Sequence, residues 1–240
     1  MTRGTVTIKR YDPERNPGPR LESYDYPFEQ GMTALDVAIY IYEHVDPTLG
    51  FSYCCCNSHC GLCGAKINGK PGLMCRQSAT PEMSLEPLDN AAVIRDLIVD
   101  RQDFEVNQSA LRLFLDRSHL PEKEPEAIAP EDQQLFKVAS RCVECYACVS
   151  VCPVAARERH RFLGPANFVL LARHVFDPRD ELDRTQIALS GGITLCDSCA
   201  KCSLVCPHEI NPAKYILAIG RKLAISWEKG GQTAVPNRQD

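Results

Sequence analysis

Eight cysteines of this chain repeat one spacing. Cys142, Cys145, Cys148 and Cys152 read C-x2-C-x2-C-x3-C and are followed by Pro153; Cys196, Cys199, Cys202 and Cys206 read the same and are followed by Pro207. Runs of this form hold cubane iron–sulfur clusters, and the fourth cysteine of each run ligates the other cluster. The spacing has a physical basis. Each corner iron needs a thiolate, and two-residue gaps let the backbone wrap a small cube while its N–H groups face the sulfides. The three-residue gap carries the fourth cysteine past that cube, and the proline fixes φ and ends the loop. One cluster is therefore expected on Cys142, Cys145, Cys148 and Cys206, and the other on Cys152, Cys196, Cys199 and Cys202. Zinc ribbons use cysteines in pairs rather than four in so short a run. Two such loops predict a unit that passes electrons one at a time, not one that transforms a substrate.

A second signal lies upstream. Cys55, Cys60, Cys63 and Cys75 read C-x4-C-x2-C-x11-C, whose first three match the plant-type [2Fe–2S] spacing with a distant fourth ligand. Gly61 and Gly64 stand where backbone must approach a cluster without a Cβ in the way. A register through Cys56 gives the poorer C-x3-C, so the expectation falls on Cys55, with Cys54 and Cys56 read as small side chains beside the cluster. Twelve ligands and two spare thiols account for all 14 cysteines.

The 240 residues suffice for two domains with their own cores. A net charge of −4 gives no reason to expect nucleic acid. No apolar run approaches the length of a membrane span, and the first residues show no apolar leader, so cysteine density reads as metal binding in a reducing compartment. Val6 and Ile8 alternate with Thr5, Thr7 and Lys9, which predicts a half-buried strand over 5–11. Residues 12–19 read as a turn and 21–28 as a second strand. Thr33, with Asp36 three residues on, predicts a helix start, and Leu35, Ile39, Tyr42 and Val45 follow helical spacing up to Pro47. Asn68-Gly69 predicts a hairpin turn. Residues 91–104 read as a short strand followed by turn or helix, and 121–130 as an exposed polar connection. Helices are expected from Glu131, over 167–176 and from Pro212, and His160 and His174 are read as ordinary helix-surface residues. The whole is an α+β chain. A β-grasp [2Fe–2S] domain over 1–105 precedes an all-α helical ferredoxin domain over 106–240 with two cubane-type clusters.

The order of one [2Fe–2S] loop and two cubane loops resembles the iron–sulfur subunit of succinate dehydrogenase and fumarate reductase. The resemblance also runs through Glu86-Pro87-Leu88, Val93 to Asp100, Phe162-Leu163-Gly164-Pro165-Ala166, Asp177-Pro178-Arg179-Asp180 and Ile210-Asn211-Pro212. It implies a flavoprotein partner carrying FAD, where a dicarboxylate is oxidised or reduced, and a membrane subunit that handles quinone. It implies a peripheral position on the cytoplasmic face of the inner membrane, held by those partners. No catalytic residue is assigned here, because the dicarboxylate chemistry would sit in the partner.

Three departures stand out. The common family pattern lacks a cysteine at the position of Cys199 and carries a [3Fe–4S] third cluster, so Cys199 predicts [4Fe–4S] there. Many relatives have a tryptophan a few residues after the counterpart of Cys152 and a histidine after that of Cys196, where this chain has Val154-Ala155-Ala156-Arg157 and Asp197. That substitution points to a heterodisulfide-reductase-like cysteine-rich membrane protein as terminal partner, with the ordinary haem-bearing quinone helices as the alternative. Cys54-Cys55-Cys56 replaces the usual Ser-Cys-Arg, and losing that arginine is expected to lower the [2Fe–2S] potential. Arg157, Arg159 and Arg161 read as a solvated face or a contact for lipid headgroups or an acidic partner. The competing readings are the same relay serving a flavoprotein for another acid, a free-standing soluble multi-cluster ferredoxin, and a structural zinc protein.

Overall fold

The computed structural model describes residues 2–117 and 128–223. Of the polar connection read over 121–130, residues 121–127 lie outside them. The chain divides into two compact units. One comprises Met1–Arg101, Val143–Val151 and Val205–Pro207, the other Gln102–Cys142, Cys152–Leu204 and His208–Asp240. Among the described residues no helix is long and apolar enough to cross a membrane.

The first unit is built on a five-stranded sheet. β1 (Thr2–Asp12) and β2 (Asn16–Phe28) form an antiparallel hairpin. After the Ala34–His44 helix come β3 (Gly64–Ile67), β4 (Lys70–Leu73) and β5 (Glu82–Glu86). The strand order is β2-β1-β5-β3-β4, with β1 and β5 parallel. Val6 and Ile8 face the core, as their alternation predicts. β2 begins five residues before the expected Leu21, with Asn16 paired to Asp12. It lies at the sheet edge, where Gly18 and Pro19 cost few ladder bonds, and backbone pairing extends past the apolar run.

Thr33 Oγ accepts the Asp36 N–H at 3.2 Å and Asp36 Oδ2 accepts the Thr33 N–H at 2.8 Å, so the predicted helix start is a complete capping box. The helix buries Ala34, Leu35, Val37, Ala38 and Ile41. Tyr42 and Val45 are 46% and 48% exposed and lie off that face, contrary to the spacing argument. Asn68 and Gly69 both have positive φ, 50° and 75°, as a two-residue type I′ turn requires. β6 (Val93–Arg95) and β7 (Ile98–Val99) make a small hairpin, and the Gln102–Ala110 helix follows. The alternation of β1 also carries Arg10 inward. Its Nε donates to Asp96 Oδ1 at 3.0 Å, and its Nη1 reaches Asp46 and Tyr24. Burial opposes the charge on Arg10, but the hydrogen bonds it donates to Asp96 and Asp46 outweigh it and push its pKa up.

The second unit packs around the Gly164–Val175 helix, whose Phe168, Leu170, Leu171 and Ala172 are fully buried. Pro165 in its first turn is pre-organised for helix and lacks only an N–H that would have no intrahelical partner. This helix packs against Pro212–Lys222 and Pro130–Ala139. Tyr215 Oη donates to the Leu135 carbonyl at 2.6 Å and fixes the last helix to the first of these three. His174, read as surface, is partly buried, and that burial lowers its pKa.

Among the described residues Arg184 is the largest fully buried side chain. Its Nε and Nη2 clamp Asp180 at 2.7 and 2.9 Å, and its Nη groups donate to the carbonyls of Leu111, Arg112 and Phe114. Asp180 also accepts the Asp116 N–H at 3.0 Å. Burial raises the Asp180 pKa, but these donors outweigh it and hold the carboxyl below its ordinary value. The sign follows: the contribution is complete above the ordinary carboxylate pKa near ~4 and is lost as pH falls through the depressed folded value. Arg184→Met leaves a buried carboxylate without its cation and should cost about 3 kcal/mol or more. Denaturant unfolding followed by circular dichroism at pH 7 checks this, and the difference from the unsubstituted chain should shrink in acid.

Candidate metal centres

The loop between the Ala34–His44 helix and β3 has no regular secondary structure around its cysteines. Cys55 Sγ accepts the N–H groups of Asn57, His59 and Cys60 at 3.4, 3.2 and 3.3 Å. Cys75 Sγ accepts the Ser58 N–H at 3.3 Å. Positive φ at Cys56, Ser58 and Gly61 turns these amides toward the sulfurs. The backbone N–H of Asn57 leads the groups that lower the Cys55 pKa to about 7, with His59 and Cys60 adding to it. The four predicted thiols lie together. Cys55 hydrogen-bonds Cys60, Cys63 hydrogen-bonds Cys75, and Cys63 also feels the charge of Cys60. Burial pushes Cys63 up to about 12, so this thiol gives up its proton to a metal rather than to water. Cys54 and Cys56 are exposed, and the Cys56 thiol points to the Cys54 carbonyl at 3.8 Å. His59 contributes through its backbone amide.

The two cubane loops share one backbone. In the first, Glu144 and Tyr146 flank Cys145 with φ of 57° and 66°; in the second, Ser198 and Ala200 flank Cys199 with φ of 54° and 58°. Left-handed conformation at residues other than glycine costs roughly 1 kcal/mol or more each, so the same pair around both central cysteines marks a wrap that the loop is built to hold. Cys145 and Cys148 are buried. In the second set burial raises the pKa of Cys152 and Cys196 and pushes Cys202 up to about 11, and the charge of Cys199 adds to all three shifts. Cys199 is exposed yet within electrostatic reach of the other three. Cys152 caps the Pro153–Arg157 helix and accepts the Ala155 N–H at 3.5 Å. Arg173 donates to the Cys142 carbonyl at 2.8 Å and so fixes the start of the first run.

Within the first unit the [2Fe–2S] loop meets the stretch after Cys142. A Cβ on Gly61 would sit 1.8 Å from the Val143 carbonyl oxygen, and one on Gly64 2.6 Å from that of Cys145. These glycines serve close backbone approach, as the sequence suggests, and the neighbour is the first cubane loop. Arg101, which the sequence reading passed over, lies at the same junction. It donates to the Gly61 and Glu144 carbonyls at 3.0 and 3.4 Å. No spacing rule finds it, because it belongs to no periodic face.

The three arginines after the first cubane run are paired: Arg157 with Asp197 at 2.7 Å, Arg159 with Asp103 at 2.7 Å and Arg161 with Glu158 at 3.4 Å. Among the described residues no three His, Cys, Asp or Glu side chains converge tightly enough for a single metal ion. A cluster spreads its anchoring sulfurs around a body several ångströms across, so this does not count against one. Thiols, N–H groups aimed at sulfur and left-handed wraps are the donor set that iron–sulfur clusters use, and the residues present fit them.

The fold and these loops define an iron–sulfur protein with a [2Fe–2S] ferredoxin domain followed by a domain for two [4Fe–4S]-type clusters. The 2Fe-2S iron-sulfur cluster binding domain matches residues 5–106 and the 4Fe-4S dicluster domain residues 138–210. The fumarate reductase iron-sulfur subunit of Mycobacterium tuberculosis is 34% identical over 247 residues, covering 96% of this chain and 100% of that protein. The chain therefore belongs to the succinate dehydrogenase and fumarate reductase iron–sulfur subunit family, whose members are electron-transfer subunits. One polypeptide of the fumarate reductase (CoM/CoB) of Methanothermobacter marburgensis is 35% identical over 206 residues, 86% of this chain and 41% of that protein. The chain spans less than half the length of this and two other relatives that it matches. The structure of the Mycobacterium smegmatis Sdh1 complex in the apo form contains a chain that matches with a TM-score of 0.84 at 25% identity, covering 92% of this chain and 95% of that one.

Gly61→Ala tests the close approach. With Val143 backbone at 1.8 Å from the new Cβ, the loop cannot keep its path. Iron and sulfide analysis of the purified protein should show loss of roughly one [2Fe–2S] equivalent, with the visible circular dichroism of that cluster reduced in proportion.

Proposed function

We propose that this chain relays electrons between an FAD flavoprotein subunit that acts on succinate or fumarate and a membrane subunit that reacts with quinone, on the cytoplasmic face of the inner membrane. Its domains would divide near residue 105. Cys55, Cys60, Cys63 and Cys75 would hold the [2Fe–2S] cluster, Cys142, Cys145, Cys148 and Cys206 the middle [4Fe–4S] cluster, and Cys152, Cys196, Cys199 and Cys202 the third. Bound clusters would each take up and release one electron at a time. The residues of the chain hold the thiolates, shield them from water and aim N–H dipoles at sulfur, which favours the added negative charge of reduction. The observation that carries the reading is the shared left-handed wrap of the two cubane loops beside a separate N–H-lined [2Fe–2S] loop. Three such centres suit a fixed path between two docked partners better than a soluble shuttle.

A [4Fe–4S] third cluster is supported by Cys199 sitting in the same wrap as Cys145 and acting electrostatically on Cys152, Cys196 and Cys202. A fourth thiolate retains the corner iron that three leave unanchored. Cys199→Ser should therefore give anaerobically oxidised protein a new paramagnetic signal of about one spin, because an oxidised [3Fe–4S] cluster is paramagnetic and [4Fe–4S] is not. A signal of that size in the unsubstituted protein would refute the assignment.

The terminal partner follows from a different feature. Where many relatives carry the tryptophan and histidine of a quinone pocket, this chain has Val154-Ala155-Ala156-Arg157 and Asp197, and Arg157 pairs with Asp197 at 2.7 Å. That pair, together with the CoM/CoB fumarate reductase among the relatives, favours a cysteine-rich heterodisulfide-reductase-like partner over haem-bearing helices. The complex carrying this chain, isolated anaerobically from its native membranes, should reduce fumarate rapidly with a reduced viologen dye. A complex with flavin that ignores fumarate would keep the relay and move the substrate to another acid.

A further inference from the structure

We propose that Arg101 is a positioning residue that couples the first two clusters: its guanidinium binds both ligand loops and raises the reduction potential of each. The proposal rests on the cluster assignment above. Gly61 lies between Cys60 and Cys63, and Glu144 between Cys142 and Cys145. One side chain donates to both carbonyls, Nη2 to Gly61 at 3.0 Å and Nη1 to Glu144 at 3.4 Å. Its guanidinium carbon stands 4.7 Å from the centroid of the Tyr146 ring, and Tyr146 Oη donates back to the Arg101 carbonyl at 3.3 Å. Its partners among the described residues are thus two backbone carbonyls and an aromatic face.

The geometry has two consequences. Glu144 and Tyr146 are the left-handed pair of the first cubane loop, and Arg101 holds one by its carbonyl and the other by its ring. It thereby keeps that wrap in register with the [2Fe–2S] loop, whose Gly61 touches Val143. The charge acts as well. Reduction makes each cluster one unit more negative, and a fixed guanidinium beside both loops stabilises both reduced forms. Cys56 removes a cation from the [2Fe–2S] loop relative to the usual family pattern, and Arg101 supplies one at the Gly61 carbonyl of the same loop. Electrons then move between two centres whose potentials shift together.

The test is an EPR-monitored redox titration of the anaerobic holocomplex carrying Arg101→Met or Arg101→Lys, with iron and sulfide content measured on the same samples. The methionine variant should lower the midpoints of both the [2Fe–2S] and the middle cluster. The expected size is about tenfold in the oxidised-to-reduced ratio at fixed potential, ~59 mV for a one-electron couple. The lysine variant keeps the charge without the fork and should stay within about threefold of the unsubstituted complex. Unchanged midpoints in a fully loaded methionine variant, or a shift of one cluster alone, would overturn the proposal. If the methionine variant loses its clusters, Tyr146→Leu and the lysine variant decide. Removing the ring should shift both midpoints in the same direction, and unchanged midpoints there, or a lysine variant lowered as far as Tyr146→Leu, would overturn it. Failure of the underlying assignment would look different: the unsubstituted complex would lack the reduced [2Fe–2S] signal altogether.

Discussion

Everything in this chain depends on holding sulfur atoms close together in backbone that would otherwise spring apart. Thiols brought to one place repel as they ionise, and the chain answers in two ways. Around Cys55 it aims three amides at one sulfur and brings the pKa to about 7. Around Cys202 it relies on burial, which keeps the free thiol protonated and pushes it up to about 11. The first thiol is prepared for metal in advance, whereas the second needs the metal to displace its proton. Cluster binding and folding are then one process at the buried loops.

Irregular backbone elsewhere in the scaffold is held by side chains that are not themselves apolar. Arg10 and Arg184 each organise several acceptors from buried positions, one beneath the sheet and one among the helices. Replacing such a network by hydrocarbon is often neutral, whereas removing one member is costly. A guanidinium that reaches three carbonyls and a carboxylate fixes loop paths in a way that leucines cannot. The apolar core around Phe168 supplies burial energy, and the arginines decide where the irregular backbone goes.

The sequence was most readable where residue type alone dictates geometry. The capping pair Thr33 and Asp36, the Asn68-Gly69 turn and Pro212 at a helix start each carry a local requirement that only a few residues meet. The cysteine spacing is of the same kind, and the thiols it groups as Cys152, Cys196, Cys199 and Cys202 are those that influence one another in the structure. Features set by partners distant in sequence were not readable. Nothing about Arg184 announces burial, since an arginine followed by Thr185 reads as surface. Tyr146 and Ala200 give no sign of left-handed φ, because the loops impose it on whatever residue stands there. β2 began early because main-chain pairing at an edge asks nothing of the side chains, and Tyr42 fell off the buried face because helical periodicity tolerates two neighbouring stripes.

The way the first unit is assembled from the chain bears on how the protein is made. Its last pieces, Val143–Val151 and Val205–Pro207, come long after Arg101 in the sequence. A ribosome adding about 5–20 residues per second delivers Val143 roughly 2–8 s after Arg101. During that interval the sheet can form, but Gly61 has not yet met Val143, and the loop bearing Cys55, Cys60 and Cys63 stands without its neighbour. For those seconds the sulfurs of Cys55, Cys60 and Cys63 stand on a loop that nothing yet covers at Gly61.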